Sequence, residues 1–503
     1  MNSLLTLLTL RESNAVLPVY RNQGEFMRLK SWRSGTAKPG YQAPPTGRRT
    51  ARPVFSTLRA GMSRESTGAE AASRDPEAKA ERRREWLLLL VLAAVQFCHI
   101  MDFVIVMPLG PQLMRSFRIT PEQFGLIVSA YTFSAAVSGL LAAFFMDRFD
   151  RKTALLGLLT GFGVGTLLCA LAPSYPFLLA ARVAAGAFGG VLGAVVFAVV
   201  GDQIPPARRG TAMGIVTSGF SAASVLGLPV GLFLAAQSSW HAPFYLLAAA
   251  TAAVIALGFF ALPPMRAHLA AERRPPLGEV IEVVREPRHL RAFALMVGLM
   301  FGGFTVSPFL SPYLVANVGV KEAELSFVYL FGGLFTLLSG PLAGRLADRH
   351  GHARVFMAAA LVSIVPILAV THLPRAPLWV ALVVTTVMMM GFSARMVPSM
   401  ALITGSVEPR RRGGFMSVNS SIQQMSAGLA AMLAGQVVGG SAATGITRFG
   451  TVGLIAAGAT LLCLPLAARI RPAEPVAPLR PAARRADQTE ISGDAEPRRA
   501  TGT

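Results

Sequence analysis

One acidic residue lies deep inside a long apolar stretch of this chain. Asp102 has apolar residues on both sides, whereas every other Asp or Glu between positions 86 and 469 lies in or beside a short gap between apolar runs. A carboxylate in such surroundings costs about 2.5–3.5 kcal/mol even on the mildest insertion scale, so it should face a cavity or a partner. Arg182 falls at a similar depth in another apolar run, and the two side chains could pair.

Proton transfer is the chemistry that these residues favour. The protonation of Asp102 would depend on the neighbouring cation and on access to water, which is what a proton-coupled carrier requires. His99 lies three residues before Asp102, on nearly the same helix face, and could share or relay the proton. A static Asp102–Arg182 ion pair and a packing role for His99 are the alternatives.

Other polar side chains inside apolar runs are candidates for lining a substrate cavity. They are Gln96, Tyr131, Arg395, Asn419, Gln423 and Gln424. Arg395 could bind an anionic group, although such a side chain can equally extend to the membrane surface. An adaptable apolar lining could come from Tyr131, Phe133, Met388, Met389 and Phe392, for which packing is the alternative role.

The composition indicates what kind of protein positions these residues. Of the 503 residues, 53% are hydrophobic and 15% are charged. A water-soluble protein needs more surface charge, so we expect an integral membrane protein and not a soluble enzyme, a disulfide scaffold or a disordered chain. The three cysteines lie inside apolar runs without the spacing of a metal site or a disulfide, and we expect no metal and no cofactor.

Twelve runs are long and apolar enough to cross a bilayer as helices, since each crossing needs about 20 residues. Their approximate limits are 86–109, 122–146, 153–172, 176–201, 211–236, 242–262, 291–316, 325–347, 354–373, 377–404, 413–438 and 448–469.

The two halves of the chain are similar in sequence. A shift of 201 residues aligns GLLAAFFMDRFDR, from Gly139, with GPLAGRLADRHGH, from Gly340, and a shift of 200 aligns Pro108 with Pro308. Six spans separate each aligned pair, an even number, so the halves share one orientation in the membrane. The predicted fold is an all-α membrane protein with twelve transmembrane helices in two parallel six-helix repeats.

The distribution of positive charge orients these helices. Lys and Arg are concentrated in the loops after the even-numbered spans, which makes that side and both termini cytoplasmic by the positive-inside rule. The net charge of +21 therefore points to the lipid surface of a plasma (inner) membrane and not to nucleic acid. The predicted parts are a disordered basic tail (1–85), a six-helix bundle (86–262), a linker loop (263–290), a second bundle (291–470) and a second disordered tail (471–503).

Two charged loops resemble a signature of the major facilitator superfamily. DRFDRK follows span 2 and ADRHGHAR follows span 8, and both resemble the family's G-x-x-x-D-R-x-G-R-K loop, within a resemblance that covers about 86 to 470. In the family this Asp and the Arg after it latch the two halves in one state. The matching residues, for which the resemblance implies that role, are Asp147, Arg148, Arg151, Asp348 and Arg349. Ala143 and Asp150 stand where the pattern has glycine.

Two further elements resemble the same family. Arg182 and Gly186 match its R-x-x-x-G element in span 4. Span 5 resembles the Gly–Pro motif of the antiporter branch, as found in twelve-span bacterial efflux proteins, at Gly227, Pro229 and Gly231. Because proline removes a backbone donor and glycine permits close approach, this motif predicts a kinked and tightly packed helix.

The resemblance and the buried acid together predict a secondary active transporter and not an enzyme. The predicted activity is proton-coupled efflux of a small amphipathic molecule by alternating access. Its partners would be that molecule, protons and the lipid bilayer, with the chain as a monomer. The alternatives are a proton-coupled importer or facilitator of a sugar or metabolite, a ligand sensor that does not transport, and an intramembrane enzyme.

Overall fold

The computed structural model describes most of the chain between the two predicted tails. The described residues are 76–142, 144–266, 269, 276–408, 411–441 and 444–470. The predicted tail 471–503 and positions 1–75 of the predicted tail 1–85 lie outside these ranges.

The described chain is almost entirely helical. The first half contains α1 (Pro76–Ile105), α2 (Gly110–Phe117), α3 (Pro121–Ala142), a 3-10 turn (Met146–Arg148), α4 (Arg151–Ala170), α5 (Tyr175–Gln203), α6 (Arg209–Ala222), a π-helical turn (Ala223–Gly227), α7 (Leu228–Gln237) and α8 (Ala242–Ala261). The rest contains α9 (Pro276–Arg285), α10 (Pro287–Phe304), α11 (Ser307–Tyr313), a π-helical turn (Leu314–Val318), a 3-10 turn (Glu322–Glu324), α12 (Leu325–His350), α13 (His352–Thr371), α14 (Leu378–Gly405), α15 (Arg412–Val437), the paired strands β1 (Gly439–Ser441) and β2 (Gly445–Thr447), and α16 (Phe449–Arg469).

Eleven segments within the described ranges are long and apolar enough to cross a bilayer, and each coincides with a predicted span. The one predicted span not among these eleven is 413–438, which is α15, and its 26 residues would extend about 39 Å. Its lower hydropathy comes from polar residues, and it packs along α3 of the other half instead of facing only lipid. Together with the almost entirely helical element order, these segments confirm the predicted fold class.

Helix contacts repeat between the two halves. In the first half α1 packs against α6 and α8, α3 against α5, and α4 against α5 and α8. In the second half the equivalent pairs recur: α10 packs against α15 and α16, α12 against α14, and α13 against α14 and α16. The sequence similarity therefore corresponds to a repeated packing scheme, in which each half is one six-helix bundle.

Two polar stretches that were predicted to lack structure are partly helical. α1 begins at Pro76, so residues 76–85 of the predicted disordered tail are helical, and α9 lies inside the predicted linker loop. Residues 76–85 are rich in Glu, Ala, Lys and Arg, which are good helix formers. α9 has several β-branched residues instead, and it packs against α10 and α15.

The predicted Gly–Pro motif interrupts an α-helix. A π-helical turn ends at Gly227, and α7 follows with Pro229 in its first turn. Proline cannot donate to the carbonyl four residues earlier, and the wider turn accommodates this missing bond. A Cβ on Gly227 or Gly231 would lie 2.8 Å from the Met101 side chain, so the backbone of this segment packs directly on α1.

The two halves contact each other at the end of the bundle opposite Asp150. Ser129 Oγ of α3 donates to the Gly428 carbonyl of α15 at 2.9 Å. Arg115, in α2, forms a bidentate ion pair with Glu322, which precedes α12. These contacts join the two halves at that end of the bundle.

Candidate proton-coupling and substrate site

A buried ion pair joins α1 to α5. Arg182 Nη1 donates to Asp102 Oδ2 at 2.7 Å and to the Asp102 backbone carbonyl at 3.2 Å. The arginine side chain is 1% exposed and the aspartate side chain 0%. Thr166 of α4 donates to the second carboxylate oxygen at 3.1 Å. The structure thus brings together Asp102 and Arg182, which the sequence places at similar depth, and it adds Thr166, which no sequence pattern singles out.

Glycines in α5 allow α3 to approach this ion pair closely. A Cβ on Gly186 would lie 2.9 Å from the Cα atom of Tyr131, so the two backbones are in direct contact. This contact places the Tyr131 ring 4.4 Å from the Arg182 guanidinium carbon. A cation over an aromatic face is attracted by the ring quadrupole, which gives Arg182 a second favourable neighbour besides Asp102.

Several buried polar atoms near the predicted site have no hydrogen-bond partner among the described residues. Those that belong to predicted site residues are Gln96 Oε1, His99 Nδ1, Tyr131 Oη, Arg182 Nε, Arg395 Nε and Asn419 Oδ1. A buried polar group without a partner costs about 1–3 kcal/mol. Atoms of this kind are the ones that a polar ligand would satisfy, which keeps these residues as candidates for substrate contacts.

Gln423, Gln424 and His99, also predicted for the site, make no described hydrogen bond to Asp102 or Arg182. Gln423 and Gln424 are half-buried on α15. The His99 ring lies 6.4 Å from the Phe162 ring, and its Nδ1 atom does not bond to the Asp102 carboxylate. A proton relay through His99 would therefore require water or a side-chain movement.

Arg395 lies inside the second bundle. Its side chain is 2% exposed, and Nη1 donates to Thr460 Oγ1 of α16 at 2.7 Å. Nη2 donates to the Gly302 carbonyl of α10 at 3.4 Å. The alternative that Arg395 extends to the membrane surface is therefore wrong.

Asp150 ties the first charged loop to the end of α8. Its Oδ1 caps α4 by accepting from the backbone N–H groups of Lys152 and Thr153, at 2.9 and 3.2 Å. Its Oδ2 accepts from the Met265 backbone N–H at 3.0 Å and from Arg266 Nε at 3.2 Å. Burial opposes ionisation, but these four donors together hold the pKa of Asp150 below its ordinary value. The residue that departs from the family's glycine is thus the anchor of this loop.

Among the latch side chains that the structure describes, no ion pair joins a residue of one half to a residue of the other. Arg151 Nε donates to Asp202 Oδ2 at 2.9 Å, within the first half. Arg148 and Arg349 are exposed, and Asp348 is exposed with its carboxylate 3.6 Å from His352 Nε2. The Asp147 side chain and Ala143 lie outside the described part of the chain.

We expect Asp150→Asn to reduce stability in a pH-dependent manner. The lowered pKa means that ionised Asp150 stabilises the fold above its unfolded-state pKa, ordinarily 3.8, and that this contribution is lost as the pH falls through the folded-state value. Since asparagine can still cap α4, the expected loss is about 1 kcal/mol at pH 7. The measurement is the apparent melting temperature in detergent at pH 7, 5 and 3.5.

The gap between wild type and variant should be equal at pH 7 and 5 and should narrow only at pH 3.5. Asp348→Asn, at the exposed carboxylate of the second loop, is the matched control and should change little at any pH. A gap that already closes between pH 7 and 5 would contradict the assigned role of Asp150.

Comparisons with known proteins place this chain among membrane transporters. A family model described as the Major Facilitator Superfamily matches residues 92–306 and 292–500. An uncharacterized MFS-type transporter, YceJ of Bacillus subtilis (strain 168), is 28% identical over 363 residues, covering 72% of this chain and 88% of that protein. The chloramphenicol resistance protein of Streptomyces lividans is 28% identical over 268 residues, covering 52% and 67%.

A solved structure shares the fold. The crystal structure of a D-xylose-proton symporter superposes with a TM-score of 0.65 at 15% sequence identity, over 77% of this chain and 98% of that one. At this identity the similarity concerns the arrangement of helices and not the substrate.

Proposed function

This chain belongs to the major facilitator superfamily of transporters, and from that membership and its buried ion pair we propose that it exports a small amphipathic molecule in exchange for protons. The observation that carries the proposal is the Asp102 carboxylate, fully buried and held by Arg182 and Thr166. The family and the fold show that the chain is an integral membrane transporter of small molecules and not an enzyme. Proton coupling, export, a plasma (inner) membrane with both termini cytoplasmic, and a monomeric state are parts of the proposal.

Coupling would operate through the charge balance of the ion pair. With Asp102 ionised, the two charges cancel and Arg182 is held to α1. Protonation of Asp102 removes the negative charge and leaves a buried guanidinium against the Tyr131 ring. Because an uncompensated buried charge is strongly unfavourable, the protein would then favour a conformation that admits water or substrate to this region. Binding of a proton and movement of the two halves would be linked in this way.

The movement itself would be a rocking of the two bundles. The contacts that close one end, among them Ser129 with Gly428 and Arg115 with Glu322, would break as that end opens. The charged loops at the opposite end would then approach each other, and the exposed Arg148, Asp348 and Arg349 would be free to act as the latch that the family resemblance implies.

Two observations support export over import. The Gly227, Pro229 and Gly231 motif packs on α1 against Met101, the residue just before Asp102, so the antiporter-type segment is adjacent to the proposed proton site. A relative is named for chloramphenicol resistance, and export of a toxic compound is one way to resist it. The competing function is proton-coupled import of a sugar or metabolite, for which the symporter of similar fold is the example.

In everted membrane vesicles, export and import change the pH gradient across the membrane in opposite directions when the compound is added. Respiration acidifies the vesicle lumen, and a fluorescent amine reports the pH gradient. If this protein exchanges compound for protons, adding chloramphenicol or another exported compound outside should move protons out and dissipate the gradient. A symporter would carry protons inward with the compound and would not dissipate it.

The matched control is a set of vesicles that contain the Asp102→Asn variant at equal abundance. If no compound from a panel of toxic amphipathic molecules and sugars dissipates the gradient, proton-coupled export is wrong. If a sugar deepens the gradient, the importer is the correct function.

A further inference from the structure

The second bundle contains a buried cation without a buried anion. Residues 291–470 include four acidic residues, Glu322, Glu324, Asp348 and Glu408, and all of them lie at or beyond helix ends. Arg395 is 2% exposed in the interior of α14, and no carboxylate in the described part of the chain pairs with it. An isolated charge in an apolar interior is very unfavourable, so a side chain kept in this state requires an explanation.

The internal repeat places glycine where the first bundle has its buried acid. The shifts of 200 and 201 residues that align the two halves take Asp102 to Gly302 and Gly303. Arg395 reaches this same place from α14, since Nη2 donates to the Gly302 carbonyl and a Cβ on Gly302 would lie 3.2 Å from Nη1. In the first bundle a guanidinium meets a carboxylate on the first helix of the bundle, and in the second bundle a guanidinium that reaches the corresponding place meets only a backbone carbonyl and the neutral Thr460 hydroxyl.

The hydrogen bonds of Arg395 are incomplete. A guanidinium has five N–H donors. One donates to the neutral Thr460 hydroxyl at 2.7 Å and one to the Gly302 carbonyl at 3.4 Å, while the Nε donor is buried without a partner among the described residues. Charge and donor geometry therefore both fit a bound carboxylate, which accepts two parallel bonds from a guanidinium.

Aromatic rings connect this arginine with the space between the two halves. The Arg395 guanidinium carbon lies 5.7 Å from the Phe392 ring, and each ring after it is 5.5–6.4 Å from the next. The rings, in order from the second half to the first, are Phe392, Phe304, Phe103 and Tyr131. The contact between Phe304 and Phe103 crosses from one bundle to the other. A ligand that approaches Arg395 from between the bundles would therefore pass an aromatic surface.

We propose that Arg395 binds the anionic group of the transported molecule, a monocarboxylate whose apolar part lies against Phe392 and Phe304. The inference builds on the proposed function, because it makes the exported compound an amphipathic organic acid. The same guanidinium chemistry would also bind a small inorganic anion such as chloride, and the two sources are distinguished experimentally.

The test measures anion binding to the purified full-length protein in detergent, without any transport step. Sodium benzoate should raise the apparent melting temperature of the wild type, and benzamide, which has the same ring without the charge, should not. Arg395→Gln should reduce the apparent affinity for benzoate at least ~10-fold, since a charge-assisted bidentate pair is among the stronger hydrogen-bonded contacts. Sodium chloride at equal ionic strength reports whether an inorganic anion suffices.

Two variants at Thr460 test whether a carboxylate built into the protein can replace the bound one. Thr460→Asp places an anion within reach of Nη1 and should abolish the response to benzoate, whereas Thr460→Asn is of similar size and neutral, and should retain it. If Thr460→Asp does not fold, Arg395→Gln and Thr460→Asn still decide the question.

Three results would overturn the proposal. They are an equal benzoate response in wild type and Arg395→Gln, no response of the wild type to benzoate, and a response to chloride that equals or exceeds the response to benzoate. Because no gradient is applied, none of these results depends on proton coupling or on the direction of transport. Failure of the vesicle experiment with a positive benzoate result would reject the exporter and leave the anion site.

Discussion

Asp102→Asn is expected to abolish transport driven by a pH gradient while substrate binding persists. In the wild type Thr166 Oγ1 donates to Asp102 Oδ1 at 3.1 Å, and asparagine keeps an oxygen that can accept this bond. The substitution removes the group that can gain and lose a proton. Without that group, proton movement and the rocking of the bundles are no longer linked. Exchange of labelled for unlabelled substrate in proteoliposomes should continue, whereas accumulation in response to a pH gradient should be lost.

The same variant should also be less stable. Arg182 would remain fully buried with a neutral partner, and removal of one member of a buried ion pair commonly costs about 3–5 kcal/mol. Retention of the hydrogen bonds should place the cost near the lower end of this range. The apparent melting temperature in detergent, measured beside the transport experiment, separates loss of coupling from loss of folded protein.

Thr166→Val is the matched control for Asp102→Asn. It removes one hydrogen bond to the carboxylate and leaves the acid and its arginine in place. We expect it to retain gradient-driven transport with a shifted pH dependence, because the donor that favours the ionised acid is gone. Full gradient-driven activity in Asp102→Asn would assign the coupling group to another residue, and the Asp102–Arg182 pair would then be a static structural contact.

The fold could be predicted because a bilayer restricts the length and the composition of any segment that crosses it. A segment must be apolar and about 20 residues long to cross, so length and hydropathy alone predict most of the spans and most of their limits. The least distinct span is α15, whose polar residues lower its hydropathy. The largest discrepancy is at the first span, predicted from residue 86 and observed from Ala80. Hydropathy could not predict the short amphipathic helix α9, because outside the membrane helix formation depends on propensity and packing.

The candidate site could be predicted in part. Charged side chains in apolar runs are costly and therefore conspicuous, which is why Asp102, Arg182 and Arg395 could be identified. Thr166 and Thr460 could not be identified from the sequence, because threonine is common in membrane helices and usually bonds to its own helix backbone. Thr460 also bonds to the Ala456 carbonyl at 2.8 Å, and its contact with Arg395 depends on how α16 lies against α14.

The contact between the two halves was also beyond sequence reasoning. Phe103 and Phe304 are ordinary apolar residues in spans 1 and 7, and nothing in their spacing indicates that their rings stack at 5.8 Å across the bundle interface. Such pairs depend on the relative position of the two bundles, which an alternating-access carrier changes during its cycle. A single sequence therefore predicts the parts of the site that lie within one half better than those that join the halves.

Gly186→Leu is expected to have the largest effect on folding. A Cβ at this position would lie 2.9 Å from the Tyr131 Cα atom, so the added side chain meets backbone, which cannot rotate away. Overpacking of a tight interior costs about 1–3 kcal/mol and occasionally more, and a clash between a new side chain and a neighbouring backbone belongs at the upper end. We expect most of the variant to be lost from the monodisperse peak in size-exclusion chromatography after brief heating.

Gly157→Leu is the control that makes this result specific. Gly157 is also a glycine inside a predicted span, but a Cβ added there would have no neighbour within 4 Å among the described residues, and the position is exposed at the surface of the bundle. An added leucine there should be accommodated by lipid, with little change in stability. If both variants behave alike, helix insertion and not the contact between α3 and α5 would limit folding. If only Gly186→Leu fails, close packing of these two helices is what holds the Tyr131 ring against Arg182 and thereby shapes the environment in which Asp102 is charged.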